Sequence, residues 1–254
     1  MRDVAVIGTG VTKFGRHDGN VLQLLAEASM KALTDSKTTN EKFGMVFVGN
    51  MASGEFEGKS GIANALVSDL ALEPAFASKI ENTSGSGGAA FLAGWLSVAS
   101  GQSDLSLVAG GERMSSVSTE RATEIIASLT HEEEFKQGVT LLSFAGLTAR
   151  HYMDRYAAPR EAIAKVAVKN HDNGCLNPNA QFQKRITLEQ VLSSPIIADP
   201  LRLYDFCPIT DGAAALVLAP LEKARNFVGK PVRVAGVGGA TDTHVVHELE
   251  DLTV

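Results

Sequence analysis

The sequence predicts an α/β fold, and three observations predict it. Short apolar and β-branched runs alternate with helical spacing from Val4 to Glu112, one strand turns through a serine- and glycine-rich loop into a helix with hardly a polar face, and apolar β residues return at Ala213 after a long helical stretch. Alternation of this kind favours a mostly parallel sheet with helices packed on it.

Val4 to Ile7 is an apolar run closed by Gly8 and Gly10, which reads as a buried strand leaving through a tight turn. Val21, Leu24, Leu25, Ala28 and Ala32 then recur at helical spacing behind Asn20, a residue type suited to the N-cap. Met45 to Val48 is a second strand, and Ile62, Leu66 and Leu70 mark a second helix that Leu72-Glu73-Pro74 closes. Ala77 to Glu81 is a third strand, running into Thr83-Ser84-Gly85-Ser86-Gly87-Gly88. The helix beyond Ala89 is apolar all round, and such a helix is normally buried on all sides, so a covering layer is expected over it. Leu105 to Ala109 is the next strand, ending in Gly110-Gly111-Glu112.

From Ser115 to Arg202 the character changes to longer polar helices, among them Phe144 to Tyr156 and Pro159 to His171, broken by the turn-rich stretch Asn173 to Pro178. This stretch reads as an insertion. Ala213 to Leu218 returns as a strand, Leu221 to Phe227 as a helical turn and Val232 to Val237 as a last strand. The organisation expected is therefore residues 1–114 as the first part of an α/β domain, 115–202 as an inserted domain, and 203–254 as return strands and the start of a link.

At 254 residues the chain is long enough to bury an ample core. Hydrophobic residues at 44% and charged residues at 20% are ordinary for a folded globular chain. A formal net charge of -6 gives no electrostatic footprint for nucleic acid or an anionic membrane, and neither is expected as a partner. The two cysteines, Cys175 and Cys207, are too few for a disulfide framework and lack paired zinc spacing. Nowhere do about 18 apolar residues occur together, and no basic region with a long apolar run opens the chain; a cytoplasmic location with no membrane span is expected.

The sharpest local feature is the turn at Ser84. A side chain there stands at the positive end of a helix dipole, where backbone N–H groups stabilise a thiolate, an alkoxide or an oxyanion, which makes position 84 a candidate nucleophile site. Serine is also the residue that commonly caps a helix, and the motif taken alone favours the cap. Gly8-Thr9-Gly10 invites a dinucleotide site, but the third glycine of that fingerprint would fall at Lys13. Phosphate-loop and nucleophile-elbow patterns are absent too. His244 and His247 have helical metal-ligand spacing without a carboxylate or cysteine to complete a set, so exposure to solvent and no metal are expected. His131-Glu132-Glu133-Glu134 reads as a solvated acidic helix start, and Cys207, before Pro208, as a buried small residue.

Taken together the segments resemble the thiolase superfamily, specifically the thiolases related to sterol carrier protein X and the archaeal acetyl-CoA acetyltransferases. The stretches that carry the resemblance are Arg2 to Gly8 with Thr12-Lys13-Phe14-Gly15, Glu81 to Ala90, Gly110 to Ser115, Val168 to Pro178, and Pro200 to Asp205 through Thr210 to Ala214. It implies an αβαβα layered fold, of which this chain would be the N-terminal half. The inserted stretch falls where the family's coenzyme A-binding loop domain would be. It also implies acyl transfer between coenzyme A thioesters, with the thioester as substrate and no tightly bound cofactor.

Two departures qualify that expectation. The family reads Glu-x-x-Cys-x-Ser-Gly-Gly where this chain reads Glu81-Asn82-Thr83-Ser84-Gly85-Ser86-Gly87-Gly88, so serine stands at the nucleophile position. A thiol with a pKa of about 8.5 becomes a thiolate readily at a helix N-terminus, whereas an alcohol stays protonated and needs a base. The chain also ends at Val254, about where the family's second half, with its catalytic histidines and second cysteine, would begin. The expectation is a thiolase-type acyltransferase of doubtful activity alone, or a noncatalytic acyl-CoA-binding protein or subunit. A homodimer, higher oligomer or separate C-terminal thiolase chain is the expected partner.

Overall fold

The computed structural model describes residues 1–253. In chain order the elements are β1 (Val4–Val11), α1 (Val21–Asp35), β2 (Met45–Gly49), α2 (Ser53–Glu57), α3 (Ile62–Asp69), β3 (Phe76–Ile80), α4 (Ser86–Ala99), β4 (Ser106–Arg113), α5 (Thr119–Ala127), α6 (Glu132–Lys136), α7 (Leu141–Tyr156), α8 (Arg160–Leu176), α9 (Leu188–Ser193), β5 (Ile196–Ala198), β6 (Leu201–Arg202), β7 (Asp211–Pro220), α10 (Leu221–Ala224) and β8 (Val232–Arg233). They form two compact units, Met1–Ser116 with Thr210–Gly239 and Val117–Ile209 with Ala240–Val254.

The first unit is built on a six-stranded sheet of order β3-β2-β4-β7-β1-β8. The expectation of a mostly parallel sheet is corrected. β2 runs parallel to β3 and β4, but β7 is antiparallel to both β4 and β1, and β8 is antiparallel to β1. The parallel pairs arise where helices cross between strands; β7 follows the long segment of the second unit and enters between β4 and β1 in the opposite sense. It pairs along all of β4, from Leu218 opposite Ser106 to Asp211 opposite Arg113. That partner keeps Gly110 and Gly111 extended, so β4 runs past the end predicted at Ala109. The last strand is shorter than predicted and pairs only Val232 and Arg233 with β1.

Successive residues of a strand point to opposite faces. Val46, Val48, Leu107, Ala109 and Val217 meet Leu24, Leu25, Ala28 and Leu66 on the face covered by α1 and α3. Phe47, Val108 and Leu218 meet Ala90 and Val98 of α4 on the other. Both faces are thus apolar, the reason these strands read as unbroken hydrophobic runs. Asn20 caps α1 as its sequence predicts: its side chain accepts from Gln23 N at 3.0 Å while the Gln23 side chain accepts from Asn20 N at 2.9 Å. The Gly8-Thr9-Gly10 pattern lies inside β1, where a Cβ at Gly10 would sit 2.0 Å from Ala28 O. The glycines let α1 lie against the strand. A short helix, α2, was not apparent in the sequence.

In the second unit α8 runs through to Leu176, beyond the turn predicted at Asn173. Gly174 permits a close approach there, since a Cβ would meet Phe182 O at 2.9 Å. The Thr140 capping box starts α7 at Leu141, a turn earlier than predicted. Ala164, Ala167, Ile186 and Val191 form a small apolar core, and β5 pairs with β6 in a hairpin. Arg160 and Asp205 make an ion pair with 16% and 4% of their side chains exposed, and Arg202 N donates to the same carboxylate at 2.7 Å. Glu132 and Glu133 are exposed as expected, but Glu134 is buried: its Oε1 accepts from His247 N at 3.0 Å and lies 3.0 Å from His247 Nδ1. His244 and His247 are exposed, each with its ring 6.1 Å from that of His131. Cys207 is exposed instead of buried, because it lies in an irregular stretch between the turn at Leu203–Asp205 and β7.

Candidate active site

Ile80, Gly49 and Gly110 stand in register across β3, β2 and β4, so β2 and β3 end level with one another while β4 runs on to Arg113. From this edge the chain turns through Glu81 to Gly85 into α4. The start of α4 presses on the end of β2: a Cβ at Gly49 would lie 2.6 Å from Ser86 O.

The turn is held by its own residues. Gly85 N donates to Asn82 O at 2.8 Å, and Ser86 N donates to Thr83 O at 3.2 Å. The Ser86 hydroxyl donates to the same Thr83 carbonyl at 2.6 Å and accepts from Asn82 N at 2.9 Å. Thr83 N donates to the Glu81 carboxylate at 2.5 Å. Thr83 has φ 45°, in the left-handed region that a β-branched residue rarely adopts. Such backbone strain persists only where its surroundings impose it, and it gathers at functional sites.

Ser84 sits at the apex of this turn and is exposed. It does not cap the helix. Gly85 is the N-cap of α4 and supplies no side-chain bond, so the capping role that the sequence favoured for Ser84 is corrected. Gly87 and Gly88, in the first turn of α4, are exposed as well. First-turn N–H groups of a helix lack intrahelical acceptors, and among the described residues those of Gly87 and Gly88 have no hydrogen-bond partner.

Beside the turn is a polar network that the sequence did not single out. Asn50, 2% exposed, donates from Nδ2 to Gly111 O at 2.9 Å and to Glu112 at 2.8 Å, and accepts from Ser53 N at 3.0 Å. Glu112 also accepts from Met51 N at 2.9 Å and Ala52 N at 3.2 Å. Burial pushes the Glu112 carboxyl above the usual carboxylate range, against the pull of those donors. Further along β4, Arg113 pairs with Glu57 at 3.2 Å and donates to His17 O at 2.9 Å. Asp211, fully buried, accepts from Ser115 N at 2.9 Å, the Ser115 hydroxyl at 2.5 Å and His17 N at 3.0 Å. A charged residue at the end of an apolar strand, Glu112 near the close of β4 and Asp211 at the opening of β7, is the sequence signal that could have found them.

Of the six histidines, His17 alone belongs to the first unit, and its Nε2 lies 2.8 Å from Lys13 O. Among the described residues, no histidine is hydrogen-bonded to the Ser84 hydroxyl. α4 buries Ala90, Gly94 and Val98 against the sheet, while Leu96 is 46% exposed and Phe91, Leu92 and Trp95 are half-buried. Burial on all sides, expected for this helix, is not provided by the described residues.

Comparison with known proteins agrees with this architecture. An acetyl-CoA acetyltransferase of Methanothermobacter thermautotrophicus is 39% identical over 100% of this chain and 66% of its own length. The chain thus spans just under two thirds of that relative. A solved structure described as an Ltp2-ChsH2(DUF35) aldolase superposes with a TM-score of 0.80 at 23% identity, covering 99% of this chain and 65% of the other. Human mitochondrial 3-ketoacyl-CoA thiolase, solved in complex with CoA, superposes with a TM-score of 0.69 at 19% identity, covering 89% of this chain and 67% of the other. The family model described as "Thiolase, N-terminal domain" matches residues 4–222, and the chain belongs to the thiolase family.

Proposed function

We propose that the chain supplies the acyl-accepting part of a thiolase-type acyl-CoA acyltransferase, with residue 84 as the position that receives the acyl group from an acetyl-CoA-like thioester. The observation that carries this reading is Ser84 itself, exposed at the apex of a strained turn, clear of the cap and one residue before the N-cap of α4. In that reaction the residue 84 oxygen bonds to the thioester carbonyl carbon, the N–H groups at the start of α4 receive the oxyanion, and coenzyme A leaves as the thiol. An alcohol gives up its proton only to a base. No hydrogen bond joins a base to the Ser84 hydroxyl among the described residues, and in this reading a C-terminal half or a partner chain brings that base.

The serine favours a second reading, in which the chain binds acyl-CoA without forming an acyl-enzyme and acts as a noncatalytic subunit. Intact-protein mass spectrometry before and after incubation with acetyl-CoA separates the two. A gain of one acetyl group, mapped to Ser84, supports the acyltransferase; no gain, in the Ser84→Cys chain as well, whose thiolate needs no base, supports the subunit.

We also infer that the chain associates through the open apolar side of α4, with a second copy or with a C-terminal thiolase chain. Soluble monomers rarely expose contiguous apolar patches beyond a few hundred Å². Light scattering is expected to show an oligomer, and a monomer at all concentrations would refute association between copies.

A further inference from the structure

We propose that Ser86 is a positioning residue for position 84, an inference that rests on residue 84 being the acyl-accepting position. Ser86 is 4% exposed, and its hydroxyl is used twice, as acceptor from Asn82 N at 2.9 Å and as donor to Thr83 O at 2.6 Å. One oxygen thereby closes the chain on itself from Asn82 to Ser86, with residue 84 at the top of the loop. Both bonds occupy the hydroxyl, so Ser86 is not itself a nucleophile.

The clasp acts on the residue that most needs holding. Thr83 adopts φ 45°, which a β-branched side chain opposes, and the carbonyl it presents to Ser86 is its own. Without the Ser86 hydroxyl, the Thr83 carbonyl keeps only the longer bond from Ser86 N at 3.2 Å, and as Thr83 relaxes from the left-handed region the Cα–Cβ direction of residue 84 changes with it. Ser86 in turn has little room to shift, because its carbonyl lies against the end of β2 where Gly49 has no side chain. The position of residue 84 is thus referred through Ser86 to the sheet.

The test uses the full chain carrying Ser84→Cys, whose thiol reports the local field through its pKa. Alkylation by iodoacetamide is followed against pH by peptide mass spectrometry, which keeps the new thiol separate from Cys175 and Cys207. The Ser84→Cys thiol is expected to titrate below the ordinary value of about 8.5, as thiols at helix N-termini do. Adding Ser86→Ala is expected to slow alkylation at pH 7 about tenfold, the loss of thiolate that follows a pKa rise of about one unit. Adding Thr83→Gly to that pair is expected to restore part of the rate, because glycine adopts the left-handed conformation without the steric cost that threonine meets. A thermal melt of each variant reports folding, and Ser86→Thr, which keeps the hydroxyl, is expected to keep the reactivity.

A depressed thiol pKa that Ser86→Ala leaves unchanged would overturn the positioning role and leave the reading of residue 84 standing. If Ser86→Ala does not fold, loss of reactivity in a folded Ser86→Thr variant would overturn it instead. A Ser84→Cys thiol that titrates like free cysteine would overturn the reading of residue 84, and the role of Ser86 with it.

Discussion

The two units exclude water by different means. In the first, Val46, Val48, Leu107 and Val217 are essentially inaccessible and hydrocarbon meets hydrocarbon on both faces of the sheet. In the second the apolar core is small, Leu147, Leu176, Phe182 and Ile196 stay exposed, and beside that core lies an enclosed ion pair, Arg160 with Asp205. Hydrocarbon packing tolerates a change of shape in proportion to the atoms lost, whereas a buried charge depends on one partner. With so small an apolar core around it, the Arg160–Asp205 pair is the place where the second unit is brittle to a single polar substitution.

The largest effect is expected there. Arg160→Leu leaves the Asp205 carboxylate buried without its cation and is expected to cost about 3–5 kcal/mol in urea unfolding. Arg160→Leu with Asp205→Leu is expected to recover most of that loss, because removing both charges removes the unpaired one. In the first unit Leu107→Ala is expected to cost about 2–5 kcal/mol, depending on how far the sheet collapses into the gap, with no second substitution that compensates so simply. A recovery equal in both units would break the contrast.

The smallest effect concerns Glu112, the buried carboxyl of the first unit. Its folded pKa is raised above the model-peptide value of 4.5, so the stability it contributes is fully present below that value and is lost as pH rises through the folded pKa. Unfolding free energies measured from below pH 4.5 to neutrality are expected to fall for the wild-type chain relative to Glu112→Gln. Parallel profiles for the two chains would show that the carboxyl carries no such linkage.

Much of the first unit was legible because its signals are local. Asn20 marks the start of α1, the β-branched runs mark β1 and β2, and the glycine-rich turn marks the entry to α4. What was not legible depends on residues far apart in sequence. The sense of β7 follows from pairing Asp211 with Arg113, and the burial of Glu134 from a partner at His247. The site itself divides in the same way. Residue 84 could be named from its turn, but its release from capping rests on the left-handed Thr83 and the doubly bonded Ser86, neither of which spacing reveals. Asn50 gave no signal at all, being a single polar residue after a strand.

Asp211 carries a consequence for how the chain accommodates change. The chain leaves the first unit after Ser116 and returns at Thr210, and Ser115 and Asp211, each beside one of those crossings, are joined by two hydrogen bonds at the end of the β4–β7 ladder. The ends of the intervening segment are thereby tied at a single knot whose cost of closure is already met by the sheet. Lengthening such a closed loop adds only about 0.6 kcal/mol for each doubling. Changes of length between Ser116 and Thr210 thus add little closure cost to the sheet that presents residue 84.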